Sequence, residues 1–415
     1  MEVRHLRLGF GALVVVAAMS GQMEPEPRWW RGNLHTHTLW SDGDDFPDMI
    51  ADWYRNAGYH FLALSDHNVL SNSERWIGGA AANRRAGVDA VARYRKRFGD
   101  GWVERRGEEV RLKTFDEYRA MVEERGRFLM IQSEELTGAG GDGRTLHMNA
   151  TNLAEQLVFQ MGATVRDSMT RNLQMVEESA KRTGRETMLH VNHPNYKWGV
   201  TAEDLAAVVG ERFFEVWNGV DGDNDPGDKL RPGTEEIWDI ANTLRIVKYK
   251  AAPLYGLATD DSHNHHGNKT HSPPGRAWVM ARARYLTPES IVRAMKAGDF
   301  YSSTGVVLEE VRFDKKTLGL RIAGVEGERY VTKFIGTRKG VKLAGKPRGE
   351  GTEETTLDYG RAVGEVFAEV RGLTPGYALR GDELYVRAVV ESSAATAVAS
   401  EEYRNKKAWT QPVGW

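Results

Sequence analysis

Seven short apolar runs recur along this chain, and most give way to a polar step rich in histidine and acidic residues. The first is brief and closes at Leu34, ahead of His35-Thr36-His37. Phe61 to Leu64 leads into Ser65-Asp66-His67-Asn68, and Phe128 to Ile131 leads into Ser133-Glu134-Glu135. Leu146 to Thr151 carries His147, and Met188 to Val191 leads into Asn192-His193-Pro194-Asn195. Phe213 to Trp217 ends at Asn218-Gly219, and Leu254 to Ala258 ends at Asp260-Asp261-Ser262-His263. Short buried strands alternating with helical segments imply a parallel α/β sheet or barrel. Chemistry gathered where several strands end is the habit of such barrels.

Bulk properties narrow the class. A chain of 415 residues exceeds one minimal core, so a large first domain and a smaller second one are expected. Hydrophobic content of 40% and charged content of 27% describe an ordinary soluble globular protein. A net charge of -2 supplies no general basic field for coating nucleic acid. There are no cysteines, so any metal must be held by His, Asp and Glu, a set that suits zinc, manganese or iron.

The start of the chain differs from the rest. Arg4 and Arg7 precede an apolar stretch, Leu8 to Ala18, and then the small residues Ser20 and Gly21. This reads as a secretory signal over residues 1–22, too short to span a bilayer comfortably. The mature protein is therefore expected to be secreted or periplasmic without a membrane span, or cytoplasmic if the start is misassigned.

Between the runs, Asp167 to Arg182 has helical spacing and stops at Gly184, while Thr287-Pro288-Glu289 opens another helix. Residues 72–127 are long for a crossover and rich in Arg, Glu and Trp, which suggests a helical insertion covering the site. The first domain is expected over 28–305. Beyond it, Leu318, Leu320 and Ile322, then Val366, Ala368 and Val370, alternate with other residues, and Tyr385 to Val390 forms a further strand-like run. That pattern predicts a small antiparallel, sandwich-like β domain over 306–415 with a structural role.

The candidate ligands are His35, His37, Asp42, His67, Glu135, His147, His193, Asp261 and His263. Residues two apart in extended chain face the same side, so His35 and His37 can share one ion, as can Asp261 and His263. Adjacent residues face opposite ways, so only one acid of Glu134 and Glu135 should enter the site, and only one of Asp260 and Asp261. Spacing to His263 favours Asp261. Asp66 and His190 are candidate orienting or proton-carrying groups, or ordinary hydrogen-bonded residues. Arg144 and Arg276 flank the motifs and could grip a phosphate bidentately. His265, His266 and His271 read as exposed loop histidines. Trp40, Trp76, Trp198 and Trp217 could wall an apolar substrate site or simply pack the core.

His35-Thr36-His37-Thr38-Leu39-Trp40-Ser41-Asp42-Gly43 resembles the opening motif of the PHP (polymerase and histidinol phosphatase) superfamily. Ser65-Asp66-His67, Glu135, His147, His193-Pro194 and Asp261-Ser262-His263 are similar to its later motifs in order, so the resemblance covers roughly Arg31 to Gly305. Glu134-Glu135-Leu136-Thr137, Glu215-Val216-Trp217-Asn218-Gly219 and Ala277-Trp278-Val279 more closely resemble the branch containing CehA/McbA-type metallohydrolases. The resemblance implies a distorted (β/α)7 TIM-like barrel holding up to three divalent ions. His35, His37, Glu135 and Asp261 would hold the first. Glu135 would bridge to a second, completed by His147 and His193, and Asp42, His67 and His263 would hold the third. Some branches place His where this chain has Asp42.

The implied chemistry is hydrolysis. A carboxylate bridging two cations holds them close, and water shared between them loses its proton near neutral pH. The resulting hydroxide is the nucleophile, so Glu135, with Asp66 and His190 in support, would form the catalytic machinery. The leading reading is a metal-dependent phosphoesterase acting on a small phosphoester. A carboxylic ester or carbamate hydrolase and a 5′–3′ exonuclease are the alternatives, and a non-catalytic metal-binding accessory role stands furthest from this residue set.

Overall fold

The apolar runs fold as strands. β1 (Arg28–Asn33) and β2 (Phe61–Leu64) lie parallel, joined through helix α1 (Pro47–Asn56). Every residue of β2 is buried, as expected for a strand covered on both faces. This computed structural model describes residues 24–267, 271–349, 355–398, 400 and 404–415. The segment read as a secretory signal lies outside the described residues.

The insertion after β2 is only partly helical. It comprises β3 (Arg75–Gly78), α2 (Gly79–Ala86), α3 (Ala90–Phe98), β4 (Arg105–Arg106), β5 (Glu109–Leu112) and α4 (Phe115–Val122). Its strands form a separate antiparallel sheet in the order β3-β5-β4, so the insertion expected to be helical is mixed. The signal is Glu109-Val110-Arg111-Leu112, whose polar–apolar alternation has the strand period of two. α4 opens on a capping box between Thr114 and Glu117.

β6 (Leu129–Ala139) and β7 (Thr145–Thr151) form a hairpin, followed by α5 (Val165–Thr183), β8 (Met188–Val191), α6 (Ala202–Ala207), β9 (Phe213–Asn218), α7 (Thr234–Val247) and β10 (Tyr255–Thr259). β7 runs antiparallel to both β6 and β8, so the sheet is mixed and not wholly parallel. The cause is the Gly140-Gly141-Asp142-Gly143 turn, where Gly143 takes φ 83 and returns the chain directly without a crossover helix. β8, β9 and β10 are parallel. α5 begins at the Thr164–Asp167 capping box and ends at Gly184.

β11 (Trp278–Ala283), α8 (Pro288–Lys296) and β12 (Phe300–Ser303) follow, with Thr287 capping α8 through the Ser290 N–H. The last part comprises β13 (Leu308–Phe313), β14 (Thr317–Ile322), β15 (Tyr330–Arg338), β16 (Glu365–Arg371), β17 (Gly376–Ala378), β18 (Glu383–Ala395) and β19 (Asn405–Thr410). All its pairings are antiparallel, as the alternation predicts. Leu318, Leu320, Ile322 and Tyr377 of the small β13-β14-β17 sheet pack against Phe334, Val386, Ala388 and Val390.

This antiparallel part is continuous with the first. β19 pairs with β12, giving one 13-stranded sheet ordered β10-β9-β8-β7-β6-β2-β1-β11-β12-β19-β18-β15-β16. Arg387 on β18 reaches Asp239 on α7 at 2.6 Å, and the Tyr385 hydroxyl donates to the same carboxylate at 2.8 Å. Removing one partner of such a buried pair would leave an uncompensated buried charge. Just beyond β1 and β10, Thr36 and Ser262 form a parallel bridge, and the Asn33 amide donates to Asp260 at 2.9 Å. No described helix is long and apolar enough to cross a membrane.

Candidate metal centre

The strand exits converge. Beyond β1, His35 and His37 turn the same way: His37 Nε2 lies 2.9 Å from Asp261 Oδ1, and His35 Nε2 lies 3.1 Å from the same oxygen. Glu135 sits inside β6, with Oε2 3.3 Å from His37 and 3.5 Å from His35. Its Oε1 faces His147 Nδ1 at 3.0 Å and His193 Nε2 at 3.7 Å. His67 Nδ1 lies 2.8 Å from Glu135 Oε2, and its Nε2 faces Asp42 Oδ2 at 3.4 Å. Asp42 also meets His37 Nδ1 at 3.5 Å and His263 Nε2 at 3.4 Å. All nine candidate ligands therefore fall in groups whose ligand atoms lie within 4.8 Å of one another.

Backbone strain accompanies this convergence. His193 has φ 22 and Asp261 has φ 44, a region that residues with a Cβ adopt at a cost. Glu215 on β9 holds the His193 turn by accepting its N–H at 2.9 Å.

The donor set fits divalent cations. His37 Nε2, Glu135 Oε2, His147 Nδ1 and Asp261 Oδ1 are buried without a properly directed hydrogen bond. Orphaned polar atoms in a core are costly unless something else satisfies them. Two ligand atoms each about 2.1 Å from one tetrahedral ion lie about 3.4 Å apart, close to the spacings above. Groups built by His35, His37 and Asp261, by His67, Glu135 and His147, and by His37, Asp42, His67 and His263 would each suit an ion.

Electrostatics keep the acids ionised. Burial pushes the Glu135 and Asp261 carboxyls up, but the surrounding imidazoles outweigh it and hold both well below the usual range. Burial lowers His35, yet Asp261, Glu215 and Glu135 raise it well above its ordinary value. At His37 burial prevails, aided by His263 and His67, and the imidazole is lowered.

Glu134 and Glu135 face opposite sides of β6, whereas Asp260 and Asp261 lie beyond β10, where Asp261 takes φ 44. Glu134 points away from the cluster, accepts the Leu157 N–H at 2.6 Å, and is pushed up to about 7 by burial. Asp260 is buried behind the site, accepting from the Tyr54 hydroxyl at 2.7 Å and the Ala277 N–H at 2.8 Å.

The supporting candidates fare differently. Asp66 accepts from the Thr38 N–H at 2.8 Å, the Thr38 hydroxyl at 2.9 Å and the Ser41 hydroxyl at 2.6 Å, so it anchors the segment between His37 and Asp42. His190 is fully buried with Nε2 3.5 Å from Glu215, and burial lowers its basicity. Both arginines are engaged with acids of the protein. Arg144 pairs with Asp204 at 2.6 Å and Asp142 at 3.2 Å, and buried Arg276 pairs with Asp221 at 2.8 Å and donates to the His271 carbonyl.

His271 is exposed as expected, but His266 is buried, 3.3 Å from Asp45 and 2.7 Å from Arg93 of α3. The His265 ring nitrogens are buried as well. Trp40 and Trp217 are core residues, while Trp76 and Trp198 are half-buried.

Sequence reasoning left Glu215 without a role. Its Oε1 lies 2.7 Å from His35 Nδ1 and accepts the Thr259 hydroxyl at 2.7 Å, and its Oε2 accepts from Asn218 at 2.8 Å. A lone acid within the apolar run Phe213–Asn218 was the available signal. Asn192 was also passed over; its amide donates to Glu135 Oε1 at 2.8 Å.

No protein-family model matches the chain, and no curated protein matches it significantly. Among solved structures, it is similar to a two-domain Bacteroides vulgatus protein containing a predicted PHP-like metal-dependent phosphoesterase. Identity is 14%, the TM-score is 0.40, and the match covers 93% of this chain and 96% of that one. It is also similar to a Bifidobacterium adolescentis protein named for a metal-dependent phosphoesterase, with 14% identity, a TM-score of 0.29, and coverage of 60% of this chain and 94% of that one.

Proposed function

We propose that this chain is a metal-dependent hydrolase of the PHP superfamily, and that it cleaves phosphoesters. The convergence of nine His, Asp and Glu side chains, several with buried ligand atoms lacking directed hydrogen bonds, carries the reading. Strands β10, β9, β8, β7, β6, β2 and β1, whose outer members meet through the Thr36–Ser262 bridge, support a distorted (β/α)7 barrel.

His35, His37, Glu135 and Asp261 would hold one ion, with Glu135 shared toward His147 and His193, and Asp42, His67 and His263 would serve a third. Cations held there would acidify water and neutralise charge developing on the ester oxygens. Glu215 keeps the His35 ring turned so that Nε2 faces the centre, and Asn192 orients the Glu135 carboxylate. Three divalent ions against the carboxylates of Asp42, Glu135 and Asp261 would leave a centre of roughly three positive charges, which suits a phosphate dianion.

A carboxylic ester or carbamate substrate is the second reading. Arg144 and Arg276 are engaged with acids, whereas the Tyr196 ring stands 5.2 Å from that of His193 and 5.8 Å from that of His147, an aromatic wall beside the centre. Measuring bound metal and screening phosphomonoesters beside aryl esters and carbamates tests both. Metal-dependent turnover of phosphomonoesters supports the first reading, turnover of aryl esters or carbamates alone supports the second, and metal-independent or absent turnover contradicts both.

A further inference from the structure

The insertion contacts the chain segment that carries Asp42. Among the candidate ligands Asp42 is the outlier: its side chain is 55% exposed, against 26% for His67 and 23% for His263. A ligand on a surface loop serves an ion well only if the loop is already ordered. Part of that order is local: the N–H groups of Ser41 and Gly43 both donate to the Thr38 carbonyl, and the Asp44 N–H donates to the His263 carbonyl at 3.0 Å.

Asp66 adds three bonds to Thr38 and Ser41, and residues 75–113 supply further contacts. Arg85, on the last turn of α2, donates to the carbonyls of Ser41 at 2.7 Å and Gly43 at 3.2 Å, so one guanidinium bridges the residues on either side of Asp42. Arg75 donates to the Trp40 carbonyl with its guanidinium over the Trp40 ring. The Trp40 indole N–H in turn donates to the Lys113 carbonyl at 3.0 Å. Both Arg85 bonds leave the same terminal nitrogen, so one anchored NH2 group ties the two carbonyls together across Asp42.

We infer that the insertion is a clamp for the Asp42 loop, and that Arg85 is a positioning residue controlling the affinity of the cation position served by Asp42, His67 and His263. This rests on the metal-centre reading above. It differs from a covering role: the insertion acts on metal binding from outside the centre, and selectively, because Arg85 holds the two carbonyls that flank Asp42.

The test is zinc binding by the full-length protein, measured by competition with a calibrated chelator and by metal analysis, so that no substrate enters. Wild type, Asp42→Asn and Arg85→Met are compared; the methionine keeps the apolar stem and removes the donors. The clamp predicts that Arg85→Met reproduces Asp42→Asn, with one zinc weakened about 10- to 100-fold and the remaining affinity close to wild type. Wild-type affinity at every position in Arg85→Met, or equal weakening at all of them, overturns the clamp while leaving the metal centre standing. Wild-type protein that binds no zinc overturns both. If Arg85→Met does not fold, Arg85→Ala is read by the same criteria.

Discussion

His35 and Glu215 are both fully buried, and His35 Nδ1 lies 2.7 Å from Glu215 Oε1. A carboxylate on one imidazole nitrogen fixes the tautomer and turns the other nitrogen toward a cation. The geometry thus assigns Nδ1 to the protein and Nε2 to the centre.

Glu215→Gln tests that assignment. The amide keeps the volume but loses the charge that steadies the His35 ring, the Thr259 hydroxyl and the Asn218 amide. Metal affinity is expected to fall about 10- to 100-fold with the far-UV circular dichroism unchanged. A metal titration indistinguishable from wild type would contradict the orienting role.

Asp66→Asn should act on the loop between His37 and Asp42. The carboxylate accepts three hydrogen bonds there, and an amide can satisfy only part of that set. Chemical denaturation should show a loss of about 1–3 kcal/mol. No loss would mean that the local turn bonds suffice.

Much of the centre is legible in the sequence because its ligands come in short extended motifs. His35 and His37 are two residues apart, and extended geometry converts that spacing into a shared direction. Asp261 and His263 have the same spacing but meet through a left-handed turn at Asp261. What lies further back is not legible. The Asp204 that engages Arg144 is distant in sequence, and only the fold reveals that this arginine is occupied. The direction of β7 was likewise hidden, since apolar periodicity reports which face is buried and not which way a strand runs. Here the glycine-rich turn at 140–143 was the readable clue. Glu215 was visible as an acid in an apolar strand, but its partner His35 lies far upstream.

Glu211 supplies a pH prediction away from the centre. It is buried, its Oε1 accepts the N–H groups of Arg212 and Phe213, its Oε2 has no hydrogen-bond partner, and burial pushes it up to about 8 from an ordinary 4.5. With the folded value raised, its contribution to stability is fully present below pH 4.5 and is lost as pH rises through 8. Glu211→Gln should therefore gain on wild type by on the order of 1.4 kcal/mol for each pH unit crossed in that window. Thermal melts of the two proteins at matched pH read the difference, and a gap independent of pH would refute it.

Chelation should destabilise the fold. Cations that bind only the folded centre stabilise it by about 2.7 kcal/mol at a free concentration a hundred times their Kd. Excess chelator is expected to lower the thermal midpoint, and zinc or manganese to restore it. An unchanged midpoint would mean that the converging ligands hold nothing in solution.

In the proposed function Glu135 would be shared between two cations that would supply the hydrolytic chemistry. The most direct measurement is turnover of a phosphomonoester by metal-replete Glu135→Gln beside wild type. The account predicts a loss of about 100-fold or more with the fold intact. Full activity in a folded Glu135→Gln would contradict it.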